Sequence, residues 1–193
     1  MKRDYQKAAP VEYQRLPEHR RPDAWVQAFL HSGQIAHIAH LSGDQPFITP
    51  TSYWYDEEYN QIIFHSNRVG RLRSNLEHAP KVCLEVSESG RFLPANTALE
   101  FGQQYRSVLV FGSVRILENS QEGRRVLNGL LAKYFPHLKA GQEYRPITDQ
   151  ELDRTSVYAL EIGSWSGKEN WSDQADQLPD WPPLPDEFLD HSN

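Results

Sequence analysis

Three arginines, Arg68, Arg71 and Arg73, crowd the stretch Phe64-His65-Ser66-Asn67-Arg68-Val69-Gly70-Arg71-Leu72-Arg73. The apolar run Ile62-Ile63-Phe64 leads into it, small polar residues and a glycine follow, and Leu72, Leu76 and Ala79 then share one helical face. The pattern predicts strand, turn and helix. A helix N-terminus carries partial positive charge, so cations are normally disfavoured beside it. Arginines gather there when an anion sits among them, held also by the free backbone N–H groups. Phosphate is the natural occupant, because guanidinium donors match its oxygens. A solvated basic patch at a helix start is the other reading of the same residues.

Other reactive side chains give weaker signals. His37 and His40 stand three apart in an alternating strand pattern and so face opposite sides, which makes a poor metal pair. No metal site is expected. His78 and His137 neighbour helix-ending segments with prolines, where a partner to the helix dipole is expected. Cys83 is the single cysteine and lies mid-strand between Val82 and Leu84, so it reads as an inert thiol and excludes an internal disulfide. No Ser-His-Asp set, paired carboxylates or GxGxxG after a strand occurs at a recognisable spacing.

The elements that must position the arginines follow from periodicity. Residues 1–21 are polar, contain Pro10 and Pro17, and read as an arm. Pro22 opens a helix read over residues 23–30, and Gly33 closes it. Residues 34–41 alternate as a strand, Ser42-Gly43-Asp44-Gln45 turns, and a second strand runs from Phe47 to Tyr55, with Pro50 marking a bulge or an edge. The third strand is Gln61–His65 and the helix after it 70–78, ended by Pro80. Residues 81–86 form a fourth strand, 87–104 a long loop, and 106–117 a fifth strand with a glycine kink at Gly112. An amphipathic helix over 121–134 turns Val126, Leu127, Leu130, Leu131 and Tyr134 inward. A short helix over 148–154, capped by Thr148, and a sixth strand, Val157–Ile162, complete the order. Residues 172–193 form an acidic, proline-rich tail, extended or disordered. The expected division is an arm (1–21), one domain (22–171) and the tail. Six strands in a meander with few helices predict a mainly β, antiparallel small barrel with peripheral helices.

The chain has 193 residues, 38% of them hydrophobic, enough for one core. The net charge of −6 argues against a general nucleic-acid partner and makes the local arginine cluster more informative. No run approaches the ~18 apolar residues of a membrane-spanning helix. The start, Met1-Lys2-Arg3-Asp4-Tyr5, continues into polar residues and lacks the apolar stretch of a signal peptide, so a cytoplasmic location is expected.

Taken in order, several segments resemble one superfamily. They are Thr49-Pro50-Thr51-Ser52-Tyr53, Phe64-His65-Ser66 with Gly70-Arg71, Val82-Cys83-Leu84-Glu85-Val86, Tyr105-Arg106-Ser107-Val108 with Phe111-Gly112, and Trp165-Ser166-Gly167-Lys168. Together they are similar to the FMN-binding split-barrel superfamily typified by pyridoxamine 5′-phosphate oxidase, and most to its nitroimidazole-resistance (Nim-like) branch. The resemblance implies a six-stranded antiparallel split β-barrel and a homodimer with FMN in a cleft between protomers. It implies ring contacts from Pro50, Thr51, Ser52 and Tyr53, and phosphate contacts from Ser66 and Arg71. Ser107, Trp165 and Lys168 would stand near the ring, the last two across the dimer. His65 would be the catalytic or proton-delivering residue. The implied activity is an oxidoreductase that passes electrons through bound flavin to a small acceptor, nitroaromatic or quinone. The alternatives are a flavin- or haem-binding module without turnover, and a pyridoxamine 5′-phosphate oxidase-type enzyme.

The chain departs from this pattern at one point: Leu72 stands where relatives carry a lysine. Leu72 and Leu76 form an i, i+4 apolar pair that predicts a buried face. Arg68 or Arg73, neither with an evident acidic partner, is then expected to supply the second cation.

Overall fold

The computed structural model describes residues 4, 6–118 and 120–189. The readings made on residues 1–3, 5 and 190–193 lie outside them. In chain order a short 3₁₀ turn (Pro17–His19) leads to β1 (Arg20–Arg21), α1 (Asp23–Ser32), β2 (Ala36–Ser42), β3 (Gln45–Thr51), β4 (Trp54–Asp56) and β5 (Gln61–Asn67). There follow α2 (Arg71–His78), β6 (Lys81–Leu93), β7 (Gly102–Ile116), α3 (Ser120–Tyr134), α4 (Asp149–Asp153), β8 (Thr155–Asn170) and α5 (Asp186–Leu189).

The strands form one antiparallel sheet in the order β3-β2-β6-β7-β8-β5-β4, with β1 on β8. Inward side chains from across that order, Ile38, Phe64, Leu84, Val108 and Tyr158, share a single core with Val26 and Leu30 of α1 and Leu72 and Leu76 of α2. The sheet is therefore curled around one interior. Its two end strands remain unpaired on their outer edges, which makes the barrel split. Pro50 sits in the edge strand β3, where a missing N–H costs no ladder bond. A second, smaller core lies outside the barrel, where Val126 of α3 meets Ile63, Leu117, Val157 and Ala159.

The mainly β, antiparallel class is as expected, and the differences in detail have local causes. The expected second strand divides into β3 and β4 at Ser52-Tyr53. There Tyr53 turns its hydroxyl into the core to donate to Leu30 O, and its backbone N–H and C=O both bond the Tyr134 hydroxyl. The expected loop over 87–104 is mostly ladder: β6 runs on to Leu93 and β7 begins at Gly102, leaving only 94–101 as connection. Their pairing shifts register between Ser89 and Phe92. The expected sixth strand, Val157–Ile162, continues to Asn170 through its Ser- and Gly-rich half. The glycine kink stands where it was expected. A Cβ on Gly112 would lie 2.0 Å from Glu161 O, and the β7–β8 register shifts there. The tail, expected to be extended or disordered, is instead tied to the barrel by hydrogen bonds and ends in α5 (Asp186–Leu189) in its described part. Gln104 Nε2 donates to Ser172 O, and Asn96 Nδ2 to Leu178 O and Trp181 O. Among the described residues no helix is long and apolar enough to cross a membrane.

Candidate functional site

β5 delivers its last residues to the start of α2, as the strand-turn-helix pattern requires. Gly70 is the N-cap of α2 and gives it no side-chain cap; the first intrahelical bond is Ser74 N–H to Gly70 O. The N–H groups of residues 71–73 are thus left without helical acceptors. A Cβ on Gly70 would meet nothing within 4 Å, so approach to them is open. Ser66, on the barrel side of β5, bonds Tyr158 through their hydroxyls at 2.9 Å.

The three arginines fare differently. Arg73 donates to Glu77 at 2.6 Å, to Ser156 Oγ at 3.1 Å and to Glu118 at 3.4 Å. Arg68 bonds Asp153 O and pairs with Glu118 at 3.6 Å. The expectation that these two lack acidic partners is therefore corrected: Glu77 lies one helical turn from Arg73, and Glu118 arrives at the end of β7. Arg71 is exposed and, among the described residues, has no carboxylate within ion-pair distance. Its guanidinium lies 4.7 Å from the centre of the Phe47 ring. Phe47 stacks in turn on His40. Asn75 Nδ2 donates to His40 Nδ1, and His40 Nε2–H donates to Thr49 Oγ1. Burial, with the Arg71 charge second, holds His40 below its ordinary value. Leu72 and Leu76 are buried in the barrel core, as their spacing requires.

The remaining predicted site residues are spread over β3, residues 52–53, β5 and the β7–β8 pair. Pro50 and Thr51 line the open edge of the sheet in β3, followed by Ser52. Tyr53 is fully buried, and Lys133 Nζ covers its ring at 3.5 Å while donating to Leu30 O. Burial pushes Lys133 down to about 8, although the ring face and the carbonyl favour its charged form. Trp165 faces α1, where its Nε1 donates to Asp23 and its ring meets Tyr55 edge-on. Ser107 and Lys168 are cross-strand partners on the opposite face. Ser66 lies beside Ser156 in the register, so residues 156 to 168 of β8 separate the two groups. That is about 40 Å of strand at roughly 3.3 Å per residue.

His65 points away from Ser66, because neighbouring strand residues alternate faces. It lines a cavity of about 340 Å³ with Leu127, Leu130 and Leu131 of α3 and Tyr144 and Ile147. Its Nδ1 is buried without a partner, and burial lowers its pKa. Among the described residues no three His, Cys, Asp or Glu side chains converge on a metal position.

Two features of the site escape the sequence reading. Phe47 beneath Arg71 was signalled only by alternation along β3, which does not say that α2 crosses there. Residues 10–15 fold over Ser107 and Lys168, and nothing in their composition marks a contact 90 residues and more away.

A model of the pyridoxamine 5′-phosphate oxidase family matches residues 22–169. No curated protein matches the chain. Among solved structures, the flavocytochrome Anf3 from Azotobacter vinelandii is 24% identical, with 96% of this chain and 82% of that one covered and a TM-score of 0.77. An FAD and haem binding protein from Mycobacterium smegmatis is 21% identical over 91% of this chain and 80% of its own, with a TM-score of 0.72. A protein ascribed to 5-nitroimidazole antibiotic resistance in Bacteroides thetaiotaomicron is 15% identical over 77% and 84%, with a TM-score of 0.66. At these identities the three likenesses show a common fold.

Proposed function

The chain belongs to the pyridoxamine 5′-phosphate oxidase family, and on that footing we propose that it is an FMN-binding flavoprotein that reduces a small acceptor of the nitroaromatic or quinone type. One observation carries the reading. Arg71, which has no acidic partner among the described residues, is the first residue of α2, whose start has no side-chain cap, so one segment offers a cation and free N–H groups to a phosphate. Ser66 adds a hydroxyl at the end of β5. The backbone of residues 50–52, on the open edge of the sheet, is the surface for the ring.

Bound flavin would supply the redox chemistry, and the protein would hold it, orient it and tune it. The residues of this chain have separate duties in that arrangement. Arg71 and the first N–H groups of α2 anchor the phosphate. Phe47 braces the guanidinium from beneath. Lys168 brings positive charge, which favours a negatively charged partner at the ring's polar edge, and Ser107 stands beside it. Ser66 is on the barrel side of β5 while Ser107 and Lys168 are on the outer face of β7 and β8, so we assign Ser107 and Lys168 to the flavin anchored on a second protomer. The working form is then a homodimer.

Purification followed by absorption spectroscopy, mass spectrometry of the released chromophore and sedimentation tests this. FMN on a dimer is the expected result. A colourless protein that takes up no added FMN, or an FMN-loaded monomer at micromolar concentration, overturns it.

A second reading rests on His65. An imidazole nitrogen with no partner among the described residues, beside a cavity lined by three leucines together with Tyr144, Arg145, Glu151 and Thr155, suits a haem ligand, and two of the similar structures are a flavocytochrome and an FAD and haem binding protein. Under this reading the chain holds haem without needing turnover. Titration with haemin decides it: a Soret shift that disappears in His65→Ala supports it, and an unchanged spectrum rejects it.

A further inference from the structure

The arm before the family-matched region closes a cavity over β7 and β8. Residues 10–15 lie across the outer face of β7 and β8 and enclose a cavity of about 250 Å³. The arm is fastened beyond it. β1 pairs with Gly167 and Lys168, Arg21 donates to Glu169 at 2.7 Å, and His19 Nδ1 lies 3.0 Å from the Tyr105 hydroxyl.

The lining has a definite chemistry. Arg15 and Lys168 bring two positive charges, Ser107 and Ser166 two hydroxyls, and Tyr13 and Leu109 apolar surface. Among the described residues neither cation has a carboxylate within ion-pair distance. The nearby Glu169 is on the other face of β8, held by Arg21 and Arg106. On the arm, Glu12 accepts from the Tyr13 side chain and from Ala9 N–H. Arg15 and Lys168 are thus left for a small anion to pair. Size narrows the class. An apolar cavity of about 150 Å³ holds benzene, so this one admits a single ring with an anionic group.

We propose that this cavity binds a small aromatic carboxylate, with residues 10–15 as its roof. The carboxylate is met by Arg15 and Lys168, and the ring lies between Tyr13 and Leu109. That this occupant meets a flavin rests on the reading above, because Lys168 serves both; that it binds does not. The roof lies before the family-matched region, which begins at residue 22.

Calorimetric titration of the purified protein at neutral pH with benzoate and with its neutral isostere benzamide tests the site. Benzoate should bind at least about tenfold tighter, the scale of a charge-assisted contact. Arg15→Gln should remove most of that preference while leaving benzamide and FMN affinity unchanged; Arg15 is exposed, so the fold should tolerate the change. Equal binding of the two compounds, or no binding of either, overturns the proposal. So does an Arg15→Gln variant that loses FMN as much as benzoate, since the arm would then serve the flavin. Benzoate preference in a protein that takes no FMN supports the cavity and removes the flavin reading.

Discussion

Replacing Arg71 by alanine separates phosphate recognition from everything else the barrel does. Arg71 makes no ion pair among the described residues and is exposed, so the fold loses little. Its contact with Phe47 at 4.7 Å is worth about 0.5–1 kcal/mol at an exposed site. Removing a cation from a helix N-terminus returns about 0.3–1 kcal/mol. The two nearly cancel, and the melting temperature of the flavin-free protein should stay within a degree or two, roughly 0.5 kcal/mol. A charge-assisted bond to phosphate is worth about 1.5–3 kcal/mol, so FMN should weaken about 10- to 150-fold. Riboflavin, which lacks the phosphate, should be unaffected. Fluorescence titration of both flavins into wild type and Arg71→Ala reads the difference directly. Arg73→Ala is the control: it removes bonds to Glu77, Glu118 and Ser156, so it should lower stability and weaken both flavins alike or neither. Equal loss of FMN and riboflavin in Arg71→Ala, or no loss at all, would refute the assignment of Arg71 to phosphate.

Three further outcomes follow from the packing. Leu72→Lys places an ammonium in the barrel core beside Leu76, and urea unfolding should show a loss of roughly 2–5 kcal/mol with no gain in FMN affinity. Gly129→Ala sets a methyl 2.5 Å from the Trp54 ring; the overpacking, about 1–3 kcal/mol, should outweigh the helix-propensity gain of about 1 kcal/mol and lower the urea midpoint. His40 is held below its ordinary 6.5 by burial and then by Arg71. The unfolded chain therefore binds the proton first, and the stability His40 contributes is complete above pH 6.5 and lost as the pH falls through the folded value. Unfolding at pH 7.5, 6.0 and 5.0 should show this acid loss in wild type and a smaller one in His40→Gln.

Local periodicity carried the parts of the fold that are local. The alternation of Ala36, Ile38 and His40 and the apolar run Ile62-Ile63-Phe64 announce β2 and β5, and the capping box of Thr148 and Glu151 fixes α4. The far ends of β6 and β8 were hidden because Ser87-Glu88-Ser89 and Ser164, Ser166 and Gly167 supply no apolar alternation. Their ladders are held by pairing with β7 and not by a buried face on both sides. Pairing is also why half of the candidate site was illegible. Ser107 and Lys168 meet only through the β7–β8 register, and Glu118 reaches Arg73 only because β7 ends beside α2. Glu77 was different: one turn from Arg73, it was within reach of an i, i+4 reading. Those two carboxylates change what the departure at Leu72 means. With Leu72 in the core and Arg73 and Arg68 paired with Glu77 and Glu118, Arg71 is the one arginine of the cluster without an ion pair among the described residues. Phosphate would then be held by one guanidinium and the helix N–H groups. That makes discrimination between FMN and riboflavin depend on a single side chain, braced by Phe47 and, behind it, His40.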